Sequence, residues 1–216
     1  MTHDHGHAGA HAPIEVDVSD GPDYFEVMVH ALQELLVEKH LIDAGEVRAA
    51  LEVLDAVEPG RGAALIARAW TDPAFKQRLL ADGSAAIEEF GIDNYDGTHL
   101  IVIEQTPEVH NLVVCTLCSC YPRPVLGLPP DWYKSRAYRA RAVRDPRGLL
   151  REFGTDVPPE VAIRVHDSNA NMRYLIMPMR PAGSESMTEA ELAALITRDS
   201  MIGVTVARAP DQASAP

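Results

Sequence analysis

Basic side chains are scarce in this 216-residue chain: 19 Lys and Arg stand against 32 Asp and Glu, a formal net charge of −13 at pH 7. Nucleic-acid affinity rests largely on cations neutralising phosphates, so that balance argues against nucleic acid as a partner. Long apolar runs are missing too. The stretch 112–114 and others like it fall far short of the roughly 20 residues a membrane helix needs, so no membrane partner is expected. The opening Met1-Thr2-His3-Asp4-His5-Gly6-His7 has no apolar segment behind a basic start and does not read as a secretory signal. A cytoplasmic protein is the expectation. Cysteine is rare: three thiols in a chain of this length cannot make a disulfide framework. What remains, 46% hydrophobic and 24% charged residues, is ordinary for a globular protein with a substantial core.

Residues 1–18 are polar, Pro-punctuated and His-rich, and read as a disordered tail. His3, His5, His7 and His11 are either incidental or able to hold a soft divalent metal transiently. The pattern then turns helical over 23–40, 44–57, 62–70 and 73–90, so 19–90 is expected to form a helical unit rich in Ala and Glu. Such helices close into a small bundle, or form an arm whose apolar faces need a partner subunit. After Gly91 the grammar mixes. Strands are expected at 99–104, 111–114, 161–165, 173–177 and 202–206, with helices at 132–143 and 146–153. Pro122, Pro124, Pro129 and Pro130 force a loop-rich segment between them, and Thr188-Glu189-Ala190-Glu191 matches a capping box opening a helix. The fold class is therefore α+β, with 91–208 as the mixed domain and 209–216 as a tail.

All three cysteines fall in Val114-Cys115-Thr116-Leu117-Cys118-Ser119-Cys120-Tyr121. A redox Cys-x-x-Cys pair would sit at a helix N-terminus, whereas this pair follows a strand, precedes prolines and has a third thiol beside it. A closed structural zinc site needs four ligands, and His110 lies too close in the same segment to be an obvious fourth. Three unrelated buried thiols are a further reading. The remaining one is a metal held inside one tight loop. Thiolates at relative positions one, four and six can take one face of an octahedron, backbone nitrogens between the last two can complete a plane, and one vertex stays open. Soft sulfur favours a transition metal, and a trivalent ion would stabilise deprotonated amides.

This motif resembles the metal-binding sequence of the nitrile hydratase alpha subunit family, which includes the thiocyanate hydrolase gamma subunit. The similarity extends through Thr106-Pro107, Leu126-Gly127-Leu128-Pro129-Pro130, Trp132-Tyr133-Lys134, Tyr138-Arg139-Ala140-Arg141, Asp167-Ser168, Arg173-Tyr174 and Arg180-Pro181-Ala182-Gly183. The fold it implies is a helical arm that embraces a partner, followed by a layered α/β/β/α-type domain. The resemblance implies sulfur ligands from Cys115, Cys118 and Cys120 and amide nitrogens from Ser119 and Cys120. It further implies sulfinic acid at Cys118 and sulfenic acid at Cys120, both steps on the thiolate oxidation ladder. Thr116, where iron-type members carry Ser, is similar to the cobalt type, so the expected cofactor is Co(III) rather than Fe(III).

The activity implied is addition of water to a C≡N bond by a trivalent metal acting as Lewis acid, giving an amide. A beta-type subunit is the implied partner and supplies two arginines, so the isolated chain would be incomplete; a metallochaperone or activator is a further implied partner. Arg173 matches a family position beside the oxidised sulfurs, with an ordinary surface salt bridge as the alternative. Arg123, three positions past the last cysteine, stands where many members carry an aromatic residue. A cation there is similar to the thiocyanate hydrolase pattern and would suit an anionic substrate in place of a neutral nitrile. The family's pocket glutamine has no clear counterpart, an ungapped count reaching Asp96. Trp132, Tyr133 and Tyr138 read as core or interface aromatics. Arg139, Arg141, Arg144, Arg147 and Arg151 read as a solvated helix face or a partner interface, and His99 and His166 as locally satisfied. Apart from enzymes, a cobalt-holding maturation or storage protein fits the motif and the His-rich tail.

Overall fold

The computed structural model describes residues 24–43, 45–55, 57–94 and 97–212. The expected tail 1–18, the end of the chain from 213 and Asp96 lie outside them. Helices α1 (Tyr24–Glu38) and α2 (Glu46–Asp55) open the described chain. They expose the residues that generate their helical period. Phe25 is 69% accessible and Val29 63%, and Tyr24, Met28, Leu32, Leu35 and Leu51 are exposed as well.

From α3 (Gly60–Thr71) onward the chain packs. Leu65, Ile66, Ala67 and Ala69 are buried against the rest of the protein. The 19–90 unit thus divides: α1 and α2 stand on the surface, while α3, α4 (Pro73–Ala81) and α5 (Gly83–Glu89) belong to the core. The single helix expected over 73–90 is two. Asp82, extended at φ −148°, accepts from the Ala85 amide at 3.0 Å and starts α5 afresh. Asp72 does the same for α4, accepting from Ala74 and Phe75 at 3.0 Å ahead of Pro73 in the first turn.

Four strands follow: β1 (His99–Glu104), β2 (Val109–Val114), β3 (Ala162–Asp167) and β4 (Met172–Met177). They form two parallel pairs, β1 with β4 and β2 with β3, in registers that place Leu100 opposite Arg173 and Val114 opposite Asp167. Between β2 and β3 lie α6 (Arg123–Leu126), α7 (Asp131–Lys134), α8 (Arg136–Arg144) and α9 (Pro146–Glu152). The proline-rich segment is therefore built of single helical turns, and the helix expected over 132–143 breaks where Ser135 caps α8 through the Tyr138 amide at 3.1 Å. After β4 come α10 (Glu189–Leu195), opened by the Thr188/Glu191 capping box, and α11 (Arg198–Ile202).

Helices α4 and α5 pack on β1, β4 touches β2, and α8 and α9 cover β2 and β3, so helix, strand, strand and helix layers succeed one another. That is an α+β architecture. The strand expected over 202–206 is absent from the described residues. Ile202 closes α11 and Gly203, at φ +88°, caps it in the left-handed region. The Gly203 backbone runs so close to β2 that a β-carbon there would lie 2.1 Å from the Asn111 carbonyl oxygen.

Candidate metal centre

Strand β2 is apolar and buried through Leu112, Val113 and Val114, and it delivers Cys115, 1% accessible, to the edge of the core. Its end is pinned, because the Ser168 amide donates to the Val114 carbonyl at 2.7 Å. From there the chain turns outward. Leu117 at the tip is 84% accessible and Cys118 is exposed, while Cys120 returns to a half-buried position.

The three sulfur atoms lie within 4.8 Å of one another. Cys115 Sγ and Cys118 Sγ are 3.4 Å apart, and Cys118 Sγ and Cys120 Sγ 3.2 Å. Those separations far exceed the ~2.05 Å of a disulfide bond, so the thiols are free. Two of the three edges lie near the about 3.3 Å expected of ligands at 90° with metal–sulfur bonds of about 2.3 Å. No fourth His, Cys, Asp or Glu joins the cluster among the described residues. His110 is turned elsewhere, its Nε2 2.7 Å from the Gly203 carbonyl oxygen, and burial pushes its pKa down. The three thiols could hold a transition ion; with no fourth side-chain ligand among the described residues they do not make a closed four-ligand zinc site, and the pair follows a strand rather than opening a helix.

The cluster carries its own electrostatics. The Cys118 thiol is drawn below its ordinary range by a hydrogen bond from Cys120, opposed by desolvation and aided by Cys115 and the backbone amides of Ser119 and Cys120. The Cys120 thiol is pushed up to about 12, first by burial and then by its hydrogen-bonded and charged neighbours, while Arg173 draws it down. The amides of Ser119 and Cys120, which the resemblance assigns as nitrogen ligands, face the central sulfur.

Arg173, on β4, is within electrostatic reach of Cys120 and forms no salt bridge among the described residues. Its Nη1 donates to the Asn169 and Met172 carbonyls, leaving a buried Nε without a partner. Arg123 is half-buried on the first turn after the loop, its backbone amide donating to Tyr121 O at 2.8 Å.

Several residues that hold the loop carry no sequence signal of doing so. The Tyr133 hydroxyl donates to the Cys120 carbonyl at 2.9 Å, and the Tyr138 hydroxyl to the Val113 carbonyl at 2.6 Å. Both rings are buried, as expected of core aromatics, yet the Tyr133 hydroxyl ties down the last cysteine of the motif and the Tyr138 hydroxyl the strand that leads into it. Burial raises both phenols well above the ordinary tyrosine range. Asp167 accepts from the Thr116 amide at 2.9 Å and from its hydroxyl at 2.6 Å, and Arg139 Nη1 donates to the Thr116 carbonyl at 3.3 Å. The arginine run is not a uniform solvated face. Arg141 pairs with Glu152, and Arg147 donates to the Pro158 and Val161 carbonyls, whereas Arg144 and Arg151 are exposed. His166 Nε2 lies 2.9 Å from the Asn111 side-chain oxygen.

Comparison with known proteins agrees with this geometry. Residues 23–205 match the family model described as nitrile hydratase, alpha chain. The chain is 51% identical over 205 residues to the low-molecular-weight cobalt-containing nitrile hydratase subunit alpha of Rhodococcus rhodochrous, covering 94% of this chain and 99% of that one. It is 43% identical to the thiocyanate hydrolase subunit gamma of Thiobacillus thioparus, over 90% of this chain and 83% of that one. A chain of an Fe-type nitrile hydratase from Comamonas testosteroni Ni1, solved as a double mutant, superposes with a TM-score of 0.79 at 44% identity, covering 89% of this chain and 93% of that one. With a family match over most of its length and the three-thiol loop in place, the chain belongs to the nitrile hydratase alpha-chain family.

Proposed function

We propose that this chain is the metal-binding subunit of a cobalt nitrile hydratase, completed by a beta-type subunit. The observation that carries the reading is the sulfur triangle, whose 3.4 and 3.2 Å edges suit right-angle coordination by a transition ion. Cys115, Cys118 and Cys120 would hold cobalt through sulfur, and the amide nitrogens of Ser119 and Cys120 would complete its protein ligands. The relatives support the choice of metal, since the Rhodococcus subunit is named for its cobalt, and Thr116 is similar to the cobalt type. Bound there as Co(III), the ion would supply Lewis acidity to polarise a C≡N bond and lower the pKa of water.

The chain's own residues prepare that site. Cys118 as sulfinic acid and Cys120 as sulfenic acid would place anionic oxygens beside a bound ion. Arg173, with its unpartnered Nε and its field at Cys120, offsets part of that charge. The two arginines that a beta-type partner brings in this family would offset the rest. The exposed apolar faces of α1 and α2 suit that partner as an embracing arm.

One feature favours a second reading, hydrolysis of thiocyanate in the manner of a gamma-type subunit. Arg123 places a cation three residues after Cys120, and the Thiobacillus gamma subunit is similar over most of the chain. Assay of the co-expressed complex with neutral nitriles and with thiocyanate separates the two. The nitrile reading expects amide formation from neutral nitriles and little turnover of thiocyanate. The reverse preference would replace it, and turnover of neither by cobalt-loaded complex would favour a metal-holding role.

A further inference from the structure

We propose that Asp167, assisted by Arg139, is a positioning residue for the metal-binding loop, acting through Thr116. This deepens the cobalt-site reading and rests on it. Thr116 is the one residue of the loop whose three polar groups are all engaged from outside it. Its amide and hydroxyl donate to the two carboxylate oxygens of Asp167 at 2.9 and 2.6 Å, and its carbonyl accepts from Arg139 Nη1 at 3.3 Å. The two partners sit on different elements. Asp167 ends β3, in register with Val114, and Arg139 lies on α8, which packs on β2. Arg139 also keeps a buried Nε without a hydrogen-bond partner, so its guanidinium is held against the loop rather than spread in solvent.

The loop needs such a fixture. Its next two residues, Leu117 and Cys118, are exposed, so burial does little to hold them. Within the loop the Cys118 amide donates weakly to Cys115 Sγ at 3.3 Å. Three thiols kept within 4.8 Å of one another oppose both chain entropy and the repulsion of their developing charges. Clasping the residue between the first two cysteines from both sides fixes the first turn of the loop before any ion arrives, which is how supporting residues sharpen a metal site. The carboxylate at β3 thereby gives Thr116 a mechanical role that either Thr or Ser fulfils through the hydroxyl. Valine does not.

The test uses the co-expressed complex with its beta-type partner and three variants: Thr116→Val, Thr116→Ser and Asp167→Asn. Cobalt release to a chelator, the sulfur-to-cobalt charge-transfer absorption and hydrogen exchange across 115–118 in metal-free complex are measured. Thr116→Val and Asp167→Asn are expected to release cobalt about tenfold faster and to shift the absorption band. Thr116→Ser, which keeps the hydroxyl that Asp167 accepts from, should show the parental exchange rate at 115–118 in the metal-free complex. Asp167→Asn should also speed exchange at 115–118 in metal-free complex while leaving exchange in β2 and β3 unchanged, which distinguishes a loosened loop from a misfolded chain. Release and exchange at parental rates in Thr116→Val and Asp167→Asn would overturn the assignment. If the parent complex takes up no cobalt, the cobalt reading fails. The exchange measurement then decides the clasp alone, faster exchange sustaining it and unchanged exchange ending it.

Discussion

Replacing Tyr133 by Phe should weaken the metal loop without disturbing the core around it. The ring is fully buried and lies against Tyr121, Trp132 and Tyr138 at centroid distances of 5.1, 6.0 and 5.5 Å, so a phenylalanine ring keeps every apolar contact. What disappears is the hydroxyl, which donates to the Cys120 carbonyl at 2.9 Å and has the Ser168 side chain beside it. A buried acceptor left unpaired costs about 1–3 kcal/mol, and the half-buried setting of Cys120 puts this case toward the lower end, about 1–2 kcal/mol. Because the bond ties down the last sulfur ligand, that loss falls on the closed form of the loop. It should appear as roughly 5- to 30-fold faster release of cobalt from the loaded complex to a chelator. Tyr138→Phe is the control. Its hydroxyl serves Val113, inside β2, so it should lower the denaturant midpoint by a comparable free energy yet leave cobalt release near the parental rate. Parental cobalt release by Tyr133→Phe, or equal acceleration by both variants, would refute the claim that this hydroxyl holds the loop.

Gly203→Ala should destabilise the fold by at least about 2 kcal/mol, read from the denaturant midpoint, since the residue sits at φ +88° and a β-carbon would meet the Asn111 carbonyl oxygen at 2.1 Å. Stability should also fall on acidification below about pH 6.5. Burial lowers His110, and burial followed by the Arg164 charge lowers His166, from an ordinary value of 6.5. The unfolded chain then binds protons that the fold excludes, so these groups favour the fold above their unfolded pKa and lose that contribution as pH drops through the depressed folded values. His110→Gln should flatten the decline between pH 6.5 and 5, measured by denaturant titration at each pH; an unchanged slope would contradict the assignment.

The sequence made the strand positions legible because the core strands announce themselves. The expected 99–104 coincides with β1, and the other three expected core strands fall within two residues of β2, β3 and β4. The exception is instructive. Residues 202–206 have an apolar, β-branched composition, but the Thr197 cap starts a helix that runs into them and Gly203 turns the chain left-handed. Helix breaks were hidden for a related reason: Asp82 and Ser135 look like ordinary polar positions in a helical period, and only their side-chain bonds to following amides reveal them as caps. Strand pairing was not legible, since β1 with β4 and β2 with β3 join segments separated by other elements. The site divided along the same line. Three thiols in six residues are conspicuous, whereas the Asp167 clasp reaches across 51 residues and exists because a parallel register sets Val114 beside Asp167. Arg139, read from sequence as part of a solvated face or a partner interface, also donates to the Thr116 carbonyl, a contact the sequence does not announce.

The most direct test of the cobalt centre is metal analysis together with peptide mass spectrometry on the complex co-purified with its partner. One cobalt per chain is expected, with two oxygens added at Cys118, one at Cys120 and none at Cys115. Stoichiometric zinc with three unmodified thiols would contradict it.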